Sequence, residues 1–247
     1  MALLETEGVT VRFGGNVAVD AVDLRVEPAV VTGLIGPNGA GKTTLFNVIT
    51  GLQAPAGGRV VLGGADITRL PPFKRAKRGL ARTFQRLELF TSLSVRDNIR
   101  VAGDVRNAWG RGHSHIHTDD ETDRVIELTG LGDVAHRDVA DIPTGRARVV
   151  ELARTLMTGP KVVLLDEPAS GQTEEETASF GRLLRRLAHD DGLAICLVEH
   201  DMGLVMDVCS VVTVLDYGRV LAVGTPAQVR TDPAVITAYL GTTAAAP

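Results

Sequence analysis

The chain has 247 residues, with 26 Lys or Arg against 30 Asp or Glu for a formal charge of −4, and it is 44% hydrophobic with only six Phe, two Tyr and one Trp. That balance argues against wholesale binding to nucleic acid, and two cysteines, Cys196 and Cys209, exclude a disulfide framework and read as reduced core packing. The longest apolar runs, such as Leu193–Val198, fall far short of the roughly 20 residues that a bilayer crossing needs, and the acidic start MALLETEG has no leader character. A soluble chain is expected, one large domain or a core with a subdomain.

In chain order, the loose alternation from Leu3 to Val26 predicts strands of a partly exposed antiparallel sheet, turning at Gly14-Gly15-Asn16. Ala29–Gly36 is nearly all apolar and suits a buried strand; a Gly-rich turn and the amphipathic KTTLFNVITG follow, with Gly51 as the helix stop. Arg59–Gly64 reads as a short strand turned by Gly63-Gly64. Between Arg69 and Arg86 lie seven Lys or Arg and no acid, namely Arg69, Lys74, Arg75, Lys77, Arg78, Arg82 and Arg86. A solvated helix face is the expectation there, ahead of a nucleic-acid surface, with contact to a phosphate-rich or acidic partner as a further reading. Residues 88–160 carry helical periodicity and predict a helical subdomain with an irregular loop, GDVRNAWGRGHSHIHTDD. Strand patterns return in KVVLLDEP, LAICLVEH and SVVTVLDYG, with a charged helix between the first two, which is the βαβ alternation of a parallel-core α/β protein. The tail TTAAAP reads as frayed.

Two motifs carry the chemistry. Gly36–Thr44 (Gly36, Pro37, Asn38, Gly39, Ala40, Gly41, Lys42, Thr43, Thr44) fits GxxxxGK[ST] between strand and helix patterns. Its glycines let successive backbone N–H groups face phosphates, and the helix N-terminus adds a favourable dipole. Lys42 is expected at the β/γ phosphates and the Thr43 hydroxyl at Mg²⁺. In VVLLDEP, a buried strand delivers Asp166 and Glu167 to its end, where α/β proteins place ligand-binding groups. Asp166 is expected to hold Mg²⁺ directly or through water, and Glu167 to orient or deprotonate an attacking water. A helix N-cap carboxylate would explain one acid, less naturally the pair. ATP hydrolysis is the leading reaction.

In this order the motifs resemble those of the ATPase subunits of ABC transporters, across almost the whole chain. Gly36–Thr44 matches the Walker A loop, and Asp166 and Glu167 the Walker B aspartate and catalytic glutamate. Phe13 falls where an aromatic stacks on adenine. Gln85, in RTFQ, matches the Q-loop glutamine, implied to touch Mg²⁺ and the γ-phosphate region and to face a transmembrane partner; His200, in LVEHDM, matches the switch histidine that senses the γ-phosphate. Singly, Gln85 and His200 read as a helix-start polar residue and a satisfied strand-end histidine. The signature motif, commonly LSGGQ, is IPTGR here. Pro143 has no amide donor, Gly145 remains, and Arg146 offers a charge-assisted contact in place of glutamine. The resemblance implies that Thr144, Gly145 and Arg146 meet the nucleotide of an opposite subunit. In the D-loop, Thr173 stands where aspartate is common.

The resemblance thus implies an α/β P-loop ATPase core with a mostly parallel central sheet, an N-terminal antiparallel β region and an inserted helical subdomain. It implies one domain over 1–247, the subdomain at about 88–160, with ATP and Mg²⁺ as cofactors. The implied partners are transmembrane permease subunits, a second ABC ATPase subunit and, indirectly, a solute-binding protein, at the cytoplasmic side of the plasma membrane and with no nucleic acid. The divergent signature favours a heterodimer with unequal sites over a homodimer. RTFQ, the stretch from VEHDM to GTPAQV, and DPAVITAYLG look like the ATPases of branched-chain amino-acid uptake, a group that also serves urea and short amides. A lipid or lipopolysaccharide exporter ATPase and a soluble ABC-type switch are the alternatives. His113, His115 and His117 read as an exposed polar loop, with metal binding or partner contact as lesser readings, and Trp109 as core packing or an anchor of this region.

Overall fold

The computed structural model describes residues 2–110 and 115–243. The alternating start folds as a hairpin, β1 (Leu4–Phe13) and β2 (Asn16–Val26), turning at Gly14-Gly15. The apolar run gives β3 (Val31–Ile35), every residue buried, and Gly36–Gly41 leads into α1 (Lys42–Thr50), which stops at Gly51 in the left-handed conformation. Next come β4 (Gly57–Leu62), β5 (Ala65–Asp66), a short α2 (Pro72–Ala76) and β6 (Leu80–Arg82). Three longer helices follow, α3 (Val95–Asn107), α4 (Thr118–Thr129) and α5 (Thr144–Met157), with two 3₁₀ turns between the last two. The chain then alternates through β7 (Val162–Asp166), α6 (Glu174–His189), β8 (Ala194–Val198), α7 (Met202–Val208) and β9 (Val211–Asp216). It ends in β10 (Arg219–Gly224), α8 (Pro226–Thr231) and α9 (Pro233–Thr243).

One sheet has the order β2-β1-β4-β5; the other runs β10-β9-β3-β8-β7-β6, parallel except for β10. The parallel strands read as unbroken apolar runs because both faces are covered. Leu34, Leu164, Cys196 and Val198 pack toward α1 and the antiparallel sheet. Ile35, Val163, Leu165, Ile195 and Leu197 pack on the other face, against α5, α6 and α7. Cys196 and Cys209 are free and buried, and burial pushes the Cys209 thiol up to about 12. The expected α/β core, antiparallel region and inserted helices are all present.

Three expectations change. The basic run is not a solvated helix face: α2 has five residues, and Arg75 and Arg82 are buried. Arg75 donates to the carbonyls of Val48 and Ile49 (both 2.7 Å), Leu70 (2.8 Å) and Thr68 (2.7 Å), so it caps the last turn of α1. The irregular loop is shorter than its composition predicts, since α3 runs to Asn107 and α4 starts at Thr118; Asn107 bonds both backbone groups of Ile116, just before α4. His115 and His117 are exposed, His113 and the tail 244–247 lie outside the described residues, and those described contain no His/Cys/Asp/Glu group placed to hold a metal. Finally, β10 adds an antiparallel edge strand that the apolar-run pattern did not single out.

Candidate functional site

Four neighbouring parallel strands, β3-β8-β7-β6, end at one edge of the sheet, and each delivers part of the site just past its C-terminus. The Gly36–Gly41 loop follows β3, Glu199 and His200 follow β8, Asp166 closes β7 ahead of Glu167, and Arg82 closes β6 ahead of Gln85. Residues scattered over more than 160 positions therefore converge because of strand order.

The loop is shaped by close backbone approach. A Cβ at Gly36 would lie 2.0 Å from the Leu215 carbonyl, and one at Gly41, with φ 103°, would lie 2.6 Å from the Ala18 carbonyl. Lys42 is buried, and its Nζ donates to the carbonyls of Gly36 (2.6 Å) and Pro37 (2.9 Å), not to a carboxylate. Burial lowers its pKa, opposed in part by the fields of Glu167 and Asp166. A desolvated cation wrapped by its own loop suits a dense anion. Thr43 is exposed at the start of α1. Phe13 is 52% exposed at the hairpin tip, not packed in the core.

Glu167 sits at the centre of the side-chain cluster. Gln85 Nε2 donates to its Oε2 at 2.8 Å, and His200 Nε2 lies 3.0 Å from its Oε1. Glu167 also has φ 51°, a left-handed conformation that costs a non-glycine residue about 1 kcal/mol or more and recurs at functional sites. Glu199, unremarked in the sequence reading, is buried and accepts the backbone N–H groups of Ala169 (2.8 Å), His200 (2.8 Å) and Asp201 (3.2 Å). It ties the turn after Glu167 to the turn that carries His200.

The Gln85 segment is held from α5. Arg148 donates to the carbonyls of Phe84 (3.1 Å) and Gln85 (2.6 Å), while Glu151 accepts the Phe84 N–H at 3.3 Å and pairs with Arg148 at 3.4 Å. Burial raises the Glu151 pKa. Arg154 bonds the Glu88 carbonyl and lies 5.0 Å above the Phe90 ring. Spaced at i, i+3 and i+6, these three share one face of α5.

Asp166 is not an open carboxylate. Arg82 Nη2 pairs with its Oδ2 at 2.7 Å, both side chains being 5% exposed. The acid offered to Mg²⁺ by the sequence reading is thus engaged within the chain. The signature residues lie elsewhere: Thr144, Gly145 and Arg146 form the first turn of α5, and no hydrogen bond among the described residues joins them to Lys42, Gln85, Glu167 or His200. Arg146 does not project freely, because it pairs with Asp133. Gly145 is where Glu176 crosses; a Cβ there would meet that carboxylate at 2.6 Å.

Thr173 keeps the structural duty that aspartate would have, because both are good N-caps. Its hydroxyl accepts the Glu176 N–H at 3.2 Å, and Glu176 accepts the Thr173 N–H at 2.9 Å, a complete capping box for α6. Thr173→Ala is expected to cost about 1 kcal/mol, and Thr173→Asp to cost far less. Chemical denaturation reads both; an alanine variant as stable as the parent would rule out the cap.

Beside Gln85 a groove of about 560 Å³ opens between α2, β6, α3 and α5, lined by Leu52, Phe73, Phe84, Phe90, Val105 and Arg154. Leu52, Phe73, Phe84, Phe90 and Val105 are each 41–60% exposed. A cluster of exposed aromatics and aliphatics of this kind marks an interaction site.

Residues 19–170 match the family described as ABC transporter, and residues 219–245 match a second, described as branched-chain amino acid ATP-binding cassette transporter. The chain is 38% identical to the high-affinity branched-chain amino acid transport ATP-binding protein BraF of Pseudomonas aeruginosa, with 97% of this chain and 98% of that protein covered. It is 39% identical to LivG of Escherichia coli, which has the same description, at the same coverage. Among solved structures it is similar to the ADP conformation of an ATP-binding cassette from an ABC transporter, with a TM-score of 0.86 and 28% identity over 98% of this chain and 99% of that one.

Proposed function

This chain belongs to the ATP-hydrolysing, ATP-binding subunits of ABC transporters, and on that premise we propose that it powers the uptake of branched-chain amino acids or related small polar solutes. The observation that supports this solute class is the end-to-end likeness to BraF and LivG, including the separate match over residues 219–245. The chain is also 31% identical to the lipopolysaccharide export ATP-binding protein LptB of Haemophilus influenzae over 98% of both chains, which keeps export as the second reading.

No helix among the described residues is long and apolar enough to cross a membrane. We assign the membrane-spanning part to permease subunits, with this chain on the cytoplasmic side and the apolar groove beside Gln85 as their docking face. A solute-binding protein would deliver cargo to those subunits. The amides of Thr144, Gly145 and Arg146, in the first turn of α5, lack i−4 partners and suit the phosphate held by a second ATPase subunit. Pro143 supplies no amide, and Arg146 is tied to Asp133, so the site completed by this chain is the poorer one and a heterodimer is favoured.

In the chain's own site, Lys42 exchanges two loop carbonyls for phosphate oxygens and stabilises the negative charge that develops on the transferred group. Glu167 orients the attacking water and takes its proton at one carboxylate oxygen. Gln85 and His200, which hold that carboxylate at both oxygens, fix its direction, and with its proton on Nε2 His200 can redirect that donor from Glu167 to a terminal phosphate oxygen. Each Glu167 oxygen keeps a second acceptor site beside its contact with Gln85 or His200, so the carboxylate can receive a water while both side chains hold it. Phe13 offers an exposed ring to the base. The donors near the loop, the Thr43 hydroxyl, the Asp166 carboxylate and the Gln85 amide oxygen, fit Mg²⁺, which takes one or two carboxylates and fills its shell with phosphate and water. When bound, Mg²⁺ neutralises phosphate charge.

Purification of the native membrane complex should recover permease subunits and a second ATPase, and vesicles reconstituted with its binding protein should take up leucine, isoleucine or valine only with ATP. ATP-driven movement of a lipid in place of these solutes would overturn the uptake reading.

A further inference from the structure

Arg82 has a role that the motifs do not describe. Its guanidinium donates to Asp166 Oδ2 at 2.7 Å and to Asn47 Oδ1 at 2.7 Å, and its Nε, also buried, has no partner. It is sandwiched between two rings, 5.4 Å from the centroid of Phe46 and 5.0 Å from that of Phe84. Phe46 and Asn47 belong to α1, directly behind the phosphate loop, and Phe84 lines the apolar groove. One side chain thus bridges the loop helix, the end of β7 and the groove.

We propose that Arg82 is a latch on Asp166, a positioning residue that competes with the divalent cation for this carboxylate. A cation reaches Asp166 only against the guanidinium, either by displacing it or by tolerating a positive charge beside it. Both routes raise the concentration of cation needed. The stacking rings hold the planar group in place, and Phe84 gives a body seated in the groove a direct contact with the latch. The inference rests on the assignment of Asp166 to the cation.

The test uses the full chain with saturating ADP and measures the Mn²⁺ concentration at half-saturation by the loss of the free Mn²⁺ paramagnetic signal. Arg82→Gln, which removes the charge and keeps a polar group, should lower that concentration about tenfold or more. Arg82→Lys should restore most of the parent value, since the charge remains. Asn47→Ala removes only one of the guanidinium's anchors and should give a smaller fall, and it decides the matter if Arg82→Gln does not fold. An unchanged or raised half-saturation in the variants, with ADP binding intact, would overturn the latch. Failure of the parent chain to bind ADP in metal-free buffer would instead overturn the nucleotide-site reading beneath it.

Discussion

Glu167→Gln is expected to cut ATP turnover by about 10²–10⁴-fold, the usual contribution of a positioned general base, while leaving nucleotide affinity within a few-fold. The amide keeps the shape and can keep both hydrogen bonds: its oxygen accepts from Gln85 Nε2, and its NH₂ donates to His200 in the tautomer with an unprotonated Nε2. The left-handed backbone at this position is equally strained in both residues, so the substitution isolates the loss of the base from any loss of fold. Phosphate release by the assembled complex, read beside equilibrium ATP binding, gives the answer. Turnover within tenfold of the parent would remove Glu167 from the proton-transfer step. Retained binding without turnover should also accumulate the closed pair of ATPase subunits, because the contacts that favour closure persist for as long as the γ-phosphate does.

What could be read before folding divides along the range of the interactions. The strand–loop–helix at Gly36–Thr44 and the strand-end pair Asp166 and Glu167 were legible because their signals are local. An unbroken apolar run is what a strand covered on both faces requires, and the candidate site lies at its end. The helical insert was legible from its period. Arg82, Arg148 and Glu199 were not, because each acts on a partner brought near only by the sheet order: Arg82 and Asp166 are 84 positions apart, and Arg148 and Gln85 are 63. A cluster of arginines has one composition whether it faces water or caps a helix, and only the tertiary partner separates the cases. Arg75 and Arg82 look like their neighbours Lys74 and Arg78 in the chain, yet they are buried against backbone carbonyls and a carboxylate. The divergent signature was legible as chemistry, since proline lacks an amide wherever it stands. Its tie to Asp133 was not, since that pairing is set by how the turn before α5 packs.

Lys42→Met is expected to separate stability from binding. The ammonium is desolvated and hydrogen-bonds only to two carbonyls, and the fields of Glu167 and Asp166 offset this in part, so its burial is a net cost that methionine, similar in length and apolar, does not bear. Against that gain stand one lost donor to Gly36 and the lost attraction to Glu167 and Asp166; the Pro37 carbonyl still accepts the Ala40 N–H. The two effects are of similar size, and the unfolding free energy at neutral pH should move by about 1 kcal/mol or less. Its pH dependence should change in a defined direction. The folded-state pKa of Lys42 lies below its ordinary 10.5, so the unfolded chain holds more protons between those two values and the parent gains stability as pH rises through that window. The variant should lack this slope. Binding should respond oppositely to stability: without the charge-assisted contact to phosphate, ATP affinity should fall about 10- to 150-fold, the equivalent of about 1.5–3 kcal/mol, and the rise in melting temperature induced by ATP should shrink with it. A variant that loses stability as fully as it loses affinity would make Lys42 a structural brace for the loop and remove it from phosphate recognition.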